Sequence, residues 1–325
     1  MAPRISLIIP TQRRPGPLAL ALRSALAQQG VDPARLELVV ADNDAGPSAR
    51  AVVEGLAAEA PFPILYVHEP RAGVANARNA AMERASGDLI AFLDDDEEAP
   101  PGWLAALIEV QARFDADVVF GPVRARAPAH IVEHRAYLER FFSRLDPAPA
   151  GPIDHYYGCG DSLVRREALP DPDRPFSASR NLSGGEDDLL FGGMQRAGAR
   201  FAWAPEAWVW EDPAPERLSL DYTLRRAFVY GQGPVVHCAA GDPPDRLGIL
   251  RWGVIGAGQA VIYGALALVQ WGLRRPSRAF MMDAAARGLG KVFWGQRFRI
   301  NFYGRSDSAT AISEASAPSE TAPIF

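Results

Sequence analysis

Cysteine is nearly absent from this 325-residue chain: Cys159 and Cys238 are the only two, far apart and in no CxxC or metal-ligand spacing. That argues against a disulfide scaffold or a zinc site, and a reduced, cytosolic setting is the expectation. Lysine is scarcer still. Lys291 stands alone among 34 basic side chains, which we read as a coding bias, so the choice of arginine at any one position carries no weight. The chain runs at once into Ile5-Ser6-Leu7-Ile8-Ile9, with no charged leader, long apolar core or small-residue cleavage site, so export by a signal peptide is not expected. No GxGxxG follows that run, which argues against a dinucleotide-dependent oxidoreductase, and Gly253–Gly258 lies in the wrong context to replace it.

What is present is an ordinary globular composition, 48% hydrophobic and 22% charged, at a length that suits one large α/β domain with an appendage. The most telling feature is a run of five acids, Asp94-Asp95-Asp96-Glu97-Glu98, directly after the apolar Leu89-Ile90-Ala91-Phe92-Leu93. Carboxylates crowded at one strand end raise each other's pKa or recruit a cation. Mg²⁺ and Mn²⁺ take carboxylate oxygens and share them with a phosphate-bearing substrate. A solvated acidic loop is the usual reading of a charge run. Here the position favours a site, because ligands of open α/β sheets bind at the carboxyl ends of the strands.

Apolar runs at 5–9, 36–41, 62–67, 89–93 and 117–123 read as buried parallel strands, and helical patterns fill the gaps at 17–28, 47–58, 74–85 and 101–114. Such alternation predicts right-handed βαβ crossovers and a doubly wound α/β sheet. Further on, the pattern predicts a helix at 130–142, a strand near 162–165, a helix from Glu186 to Arg196 after Gly184-Gly185, one strand over 201–211 and a helix over 216–231. The expected organisation is a catalytic domain over 1–245, divided into halves at 125/126, then a helical segment over 246–305 and a disordered tail over 306–325.

Charge is unevenly spread. Residues 246–305 carry nine arginines, Lys291 and the lone acid Asp283, a net +9, which leaves −14 for the remainder. Within this segment 252–273 is an uncharged run of 22 residues bracketed by Trp252 and Trp271, long enough to span a bilayer. Its glycines, with Gln259 and Gln270, make it only mildly hydrophobic, and 279–302 is basic and amphipathic. Basic residues on both sides of the run disfavour a single span. The expectation is a peripheral or re-entrant attachment at the cytosolic face of the plasma membrane, with a buried helix packed on the domain as the alternative; nucleic acid is the poorer partner.

Individual residues leave more than one reading. Asp42, at the end of the second predicted strand, suits hydrogen bonding to a nucleobase or ribose and equally a turn or helix cap. Arg78 can fork onto phosphate oxygens or lie on a solvated helix face. Glu186-Asp187-Asp188 opens a helix, where acids serve either as base candidates or as simple N-terminal charge; its place after two glycines favours Asp187 as a base. Within the acid run, Asp94 and Asp96 are the donor and metal candidates, Asp96 the more direct ligand. Asp95 alternates away and is counted with the donor-binding residues, and Glu97 and Glu98 lead into the following helix.

Taken in order, Ile-Ile-Pro-Thr11, Val-Val-Ala-Asp42-Asn, Gly-Val-Ala-Asn-Ala-Arg78-Asn, Ile-Ala-Phe-Leu-Asp94-Asp-Asp96 and Gly-Gly-Glu186-Asp187-Asp188 resemble family 2 glycosyltransferases over roughly residues 4–235. The later Glu216-Arg217-Leu218-Ser219-Leu220 and Arg225-Arg226 are similar to those of bacterial exopolysaccharide and succinoglycan-type enzymes. The resemblance implies a GT-A fold, a Rossmann-like mixed sheet, here with a helical membrane-associating extension. It implies a nucleotide-diphosphate sugar donor, a UDP-sugar first of all, a divalent Mg²⁺ or Mn²⁺, and a saccharide or lipid-linked acceptor. Thr11 and Asp42 would contact the nucleoside and Arg78 would lie in the nucleotide pocket. Asp94 and Asp96 would form the DxD motif, and Asp187 would act as the base of an inverting transfer. Glu186, Asp188 and Asp161 fall on the acceptor side, with Asp161 standing where asparagine is more usual. Ala41 replaces a frequent second aspartate, and Gln12-Arg13 replaces the common aromatic-Asn pair. No Gln-x-x-Arg-Trp of processive synthases is found, which points to single-sugar addition. The competing readings are a sugar-phosphate nucleotidyltransferase, for which Gln12-Arg13-Arg14-Pro15-Gly16 is a weak phosphate loop, and a non-catalytic nucleotide- or saccharide-binding protein.

Overall fold

A computed structural model describes residues 2–181, 184–298 and 300; the tail expected to be disordered lies outside them. In chain order the elements are β1 (Ile5–Thr11), α1 (Pro15–Leu26), β2 (Leu36–Asp42), α2 (Arg50–Ala57), β3 (Ile64–His68), α3 (Val74–Met82), β4 (Leu89–Phe92), β5 (Glu97–Glu98), α4 (Trp103–Phe114), β6 (Val118–Phe120), β7 (Val123–Ala125), α5 (Arg135–Phe142), β8 (Gly151–Ile153), β9 (Ser162–Arg165), α6 (Glu186–Arg196), β10 (Phe201–Trp203), β11 (Val209–Glu211), α7 (Leu220–Ala240), α8 (Arg246–Gly272) and α9 (Arg278–Val292).

The main sheet runs β3-β2-β1-β4-β9-β6-β10-β8. The β1–β4 strands pair in parallel, β9 is antiparallel to β4 and β6, and β10 is again parallel to β6. β1, β2 and β4 are buried on both faces and mostly apolar, the buried Ser6–Glu37 pair being satisfied internally, whereas β3 at the sheet edge is only partly buried. Ile5, Leu7 and Ile9 pack with Leu18, Leu22, Leu104 and Leu107 of α1 and α4. Ile8 turns to the other side, among Ala77, Ala81 and Phe191 of α3 and α6. This is the doubly wound mixed sheet that the alternating pattern predicts. β9, from the expected acceptor half, is woven between β4 and β6, so the two halves share one sheet.

Two predicted strands are each broken in two. The 117–123 run divides at Gly121-Pro122 into β6 and β7, and the 201–211 run divides at Ala204-Pro205 into β10 and β11. After the paired breaks, the same two chain segments pair again, β7 parallel to β11, in a small second sheet ordered β5-β11-β7. Proline withholds a ladder donor in each linker. β5 is a correction: Glu97 and Glu98 pair with Glu211 and Trp210 rather than leading into a helix. Pro100-Pro101 then delay α4 until Trp103. The predicted helix at 130–142 forms only from Arg135, and that at 216–231 becomes α7, capped by Ser219 Oγ, which accepts from Tyr222 N at 3.2 Å.

The C-terminal helices form a layer on the domain. α9 folds back on α8 and packs against α7, and glycines make this possible. A Cβ at Gly288 would lie 2.6 Å from Ala260 N and 2.7 Å from Gly256 O, and one at Gly290 would overlap the Phe228 carbonyl. α8 is 27 residues long with a mean hydropathy of 1.6, which is long and apolar enough to cross a membrane by length and composition. Leu250, Val254, Val261, Leu268 and Trp271 on it are exposed. Gly288→Val is expected to lower stability by about 1–3 kcal/mol through overpacking. Gly253→Ala, at a position with nothing within 4 Å of a new Cβ, is expected to be neutral or slightly stabilising. Thermal unfolding of the two variants checks the pair.

Candidate active site

The carboxyl ends of β1 and β4 meet at the acid run. Thr11 Oγ1 donates to Asp95 Oδ2 at 2.7 Å. Arg14, just before α1, donates to Asp95 Oδ1 at 2.6 Å and with both terminal nitrogens to Asp96 Oδ2 at 3.1 Å. Asp95 therefore does not alternate away. It is buried under Thr11 and Arg14, and burial, against the pull of Arg14, pushes its pKa up to about 7. Asp96 is also raised, by burial and then by the charge of Asp94. Asp94 keeps the most open side chain of the three aspartates, 37% exposed.

Arg78 lies on the buried face of α3 and joins two motifs. Its Nη1 donates to Glu186 Oε1 at 2.5 Å and its Nη2 to Asp94 Oδ1 at 3.2 Å, with the ring of Phe176 beside the guanidinium. Burial alone would lower its pKa. The surrounding Cys159, Asp94, Glu186 and Asp187 outweigh that and hold it well above the ordinary arginine value. Glu186, expected on the acceptor side, is a buried partner of Arg78; burial raises its pKa, and Arg78 opposes the rise.

Asp187 follows on the first turn of α6, half-buried, and Asp188 is exposed. Asp187 Oδ2 accepts from Cys159 N at 3.3 Å. The turn at 158–160 runs between the two acidic motifs. A Cβ at Gly158 would lie 3.2 Å from Asp187 Oδ2, and one at Gly160 would lie 2.6 Å from Asp94 Oδ2. Only glycine lets the backbone pass between these carboxylates without displacing them. Thr11, Arg78, Asp94, Asp95, Asp96, Glu186 and Asp187 are thus brought to one crevice.

Asp161 and Asp42 are both buried and held by internal donors. Asp161 is fully buried with φ +51°, the left-handed conformation that also explains why asparagine suits this position. Its Oδ1 accepts from Trp103 Nε1 at 2.7 Å and its Oδ2 lies 3.5 Å from Arg144. Burial pushes its pKa up to about 7, with Arg144 and Trp103 opposing. Expected on the acceptor side, it lies behind the site on internal partners. Asp42 is likewise closed from solvent. It accepts from Ala49 N at 2.7 Å, Tyr66 Oη at 2.8 Å and, more loosely, Ser48 Oγ and Asp44 N at 3.3 Å. Of its two readings, the structure favours the cap.

Three groups escaped the sequence reading. From sequence, Arg14 reads only as part of a weak phosphate loop. Arg144 donates to the carbonyls of Gly121, Gly158, Gly160 and Asp161, which shapes the 158–161 turn. Glu211, aligned with Glu97 by the small sheet, is pushed up to about 8 by burial and by Asp96 and Asp94. Glu97 Oε2 accepts from Asp94 N at 2.8 Å, and burial and Asp94 raise its pKa too. No sequence period or spacing announces these pairings.

Carboxylates therefore outnumber the arginines that face them, and Asp96 and Glu211 respond as groups short of positive charge. That donor set, hard oxygens in excess, fits a divalent cation. Among the described residues no three acidic, histidine or cysteine side chains converge as a ready-made metal cage. Mg²⁺-type sites often take one or two carboxylates and complete the shell with substrate phosphate and water. Asp94 and Asp96 would be the protein's share.

Comparison with known proteins bears on this arrangement. The family model for Glycosyl transferase family 2 matches residues 6–171. The succinoglycan biosynthesis protein ExoM of Rhizobium meliloti is 45% identical over 229 residues, 70% of this chain and 73% of that protein. A GalNAc(5)-diNAcBac-PP-undecaprenol beta-1,3-glucosyltransferase of Campylobacter jejuni is 30% identical over 108 residues, 33% of this chain and 34% of that enzyme. Among solved structures, the mannosyltransferase PcManGT from Pyrobaculum calidifontis, in complex with GDP-Man and Mn²⁺, superposes with a TM-score of 0.58 over 91% of this chain and 88% of its own, at 20% identity. The shared fold is GT-A.

The buried Asp161 yields a pH test. Its folded pKa lies above its unfolded value, so its contribution is most favourable below about pH 4 and is lost as pH rises through about 7. The displacement from 3.8 to about 7 corresponds to at most about 4 kcal/mol. Asp161→Asn keeps the Trp103 bond and the left-handed backbone without the titration. Its Tm relative to wild type is expected to climb between pH 4.5 and 7.5, and parallel curves would remove the assignment.

Proposed function

The chain belongs to glycosyl transferase family 2 and is a glycosyltransferase, and from that premise we propose an inverting, metal-dependent transfer. The sugar moves from a nucleotide-diphosphate donor, first of all a UDP-sugar, to a hydroxyl of a lipid-linked or surface-polysaccharide acceptor, one residue at a time. The observation that carries this reading is Arg78 bridging Asp94 and Glu186, which sets the donor-side acids and Asp187 against the same glycine turn.

In this reading Asp187 accepts the proton of the acceptor hydroxyl as that oxygen attacks the anomeric carbon, and a single displacement inverts the centre. Asp187 keeps its carboxylate oriented through Cys159 N and the start of α6. Asp94 and Asp96 would hold the divalent ion. When bound, the ion supplies positive charge to the departing diphosphate. Arg14 and Thr11 fix the loop that presents Asp95 and Asp96. A nucleotidyltransferase reading is weaker, since Arg14 is turned onto the acid run and not into a loop for triphosphate. ExoM's name places it in succinoglycan biosynthesis and the Campylobacter enzyme's name gives it a lipid-diphosphate acceptor, which supports an acceptor of this kind here.

We further propose that the protein works at the cytosolic face of a membrane with α8 lying in the interface. α9 packs against the middle and C-terminal half of α8, where Gln259 Nε2 donates to Ala284 O at 2.9 Å and Lys291 Nζ to Gln259 Oε1 at 2.9 Å. α9 also carries the Asp283–Arg287 pair. Threading α8 across a bilayer would take these charges with it, at a cost of several kcal/mol, whereas an in-plane helix leaves them in the headgroup layer.

Asp187→Asn is expected to lower the transfer rate by about 10²–10⁴-fold while leaving UDP binding intact; retention of full transfer would sink the mechanism. Chelation of divalent ions is expected to abolish both donor binding and turnover, and activity unaffected by EDTA would overturn the metal requirement. Val254→Glu with Val261→Glu and Leu268→Glu, all at exposed positions of α8, is expected to release the folded protein from anionic vesicles in a flotation assay. Unchanged flotation would refute the in-plane helix.

A further inference from the structure

Beyond the acid crevice, a cavity of about 550 Å³ opens between the loop at 130–134, the start of α7 and the α8–α9 turn. Its lining is of two kinds. His130, His134 and Arg278 supply nitrogen donors, while Leu220 and Trp271 supply apolar surface. Trp271 is 68% exposed and continues the apolar surface of α8. Arg274 and Arg275 flank the mouth in sequence, and no acid lies between 246 and 282. Arg278 is also the first residue of α9, so the positive end of that helix adds to the field.

One carboxylate already occupies this basic corner. Glu133 Oε1 accepts from Arg278 Nη2 and lies 3.4 Å from His134 Nε2. Glu133 is itself 74% exposed, so it can leave without unpacking anything. The His134 side chain is only 8% exposed, and its Nδ1 has no hydrogen-bond partner among the described residues. A buried polar atom without a partner costs free energy unless a ligand or water completes it.

The walls of the cavity lie close along the chain to residues that touch the acid run. Asp212 N donates to Asp96 O at 2.9 Å, and Arg217, whose charge Asp96 and Glu211 feel, lies three residues before Leu220. Three residues span at most about 11 Å between Cα atoms. On the other side, Arg126 ties Glu98 to Asp212 at 2.8 Å, and the chain from there leads to His130.

We propose that this cavity receives the phosphate-bearing head of an amphiphilic, lipid-linked acceptor. Its anionic oxygens replace Glu133 on Arg278 and His134, and its hydrocarbon chain leaves past Trp271 along α8. The proposal rests on the glycosyltransferase reading for its purpose but not for its test. Glu133 acts as a place-holder: it satisfies the basic corner until a better anion arrives.

The test is calorimetric titration of the full chain with farnesyl diphosphate, farnesol and inorganic pyrophosphate, each without donor. Farnesyl diphosphate is expected to bind about tenfold or more tightly than either fragment. Arg278→Gln is expected to weaken it about tenfold, as the loss of a charge-assisted hydrogen bond does. Glu133→Gln is expected to tighten it severalfold, a gain that a merely structural residue would not produce. Both variants should bind UDP with Mn²⁺ as wild type does. The proposal is overturned if Glu133→Gln leaves affinity unchanged or weakened, or if Arg278→Gln has no effect. It is equally overturned if pyrophosphate alone binds as well (a free-phosphate site), if farnesol alone binds as well (an apolar face only), or if UDP displaces the ligand (the donor site). Failure of wild type to bind UDP with Mn²⁺ would count against the donor reading and is scored separately.

Discussion

Arg78 carries a positive charge from α3 into the place where two acidic motifs have to meet, Asp94 at the end of β4 and, 108 residues beyond Arg78, Glu186 at the start of α6. Three buried or half-buried charges in one spot are tolerable only together. Remove the guanidinium and two carboxylates face each other in a crevice that already holds too many; remove one carboxylate and a buried cation loses its partner. Either break costs several kcal/mol, and so the arrangement specifies register as well as charge. Asp187 inherits its position from this constraint. It is next to Glu186, and the 158–160 turn must thread between it and Asp94, which is why that turn is built from glycines.

Much of this was legible beforehand, for a physical reason. Strands buried on both faces are mostly apolar, so β1, β2 and β4 stand out, and residues at or just past their ends form the crevice. What periodicity cannot show is where a strand leaves one sheet for another. Gly121-Pro122 and Ala204-Pro205 mark the exits, but the reason for them is the second sheet, which exists only once β5, β7 and β11 are brought together in space. The same long-range assembly hides Glu211. Arg14 and Arg144 were missed for a different reason. In a chain with a single lysine, arginine identity carries little information, and only the fold separates the guanidiniums that brace the site from those that solvate a helix.

The buried acids of the site share one feature. Asp42, Asp161 and Glu186 all have internal donors. A motif records that a carboxylate is needed at a position, not which way its oxygens turn. Here the protein uses one ring of buried acids to position another that is more open: Asp161 through Arg144 shapes the turn beside Asp187, and Glu186 through Arg78 steadies Asp94.

The unequal distribution of charge then acquires a geometric meaning. The crevice carries a surplus of carboxylates, and the helical layer is basic. Because the glycine contacts of α9 fix α8 against α7, and α7 begins three residues after Arg217, the apolar helix stands at a set distance from the carboxylates. In the proposed in-plane orientation the bilayer surface therefore becomes a fixed wall of the site. An acceptor confined to that surface approaches Asp187 from one side only, and the search for it is reduced from three dimensions to two.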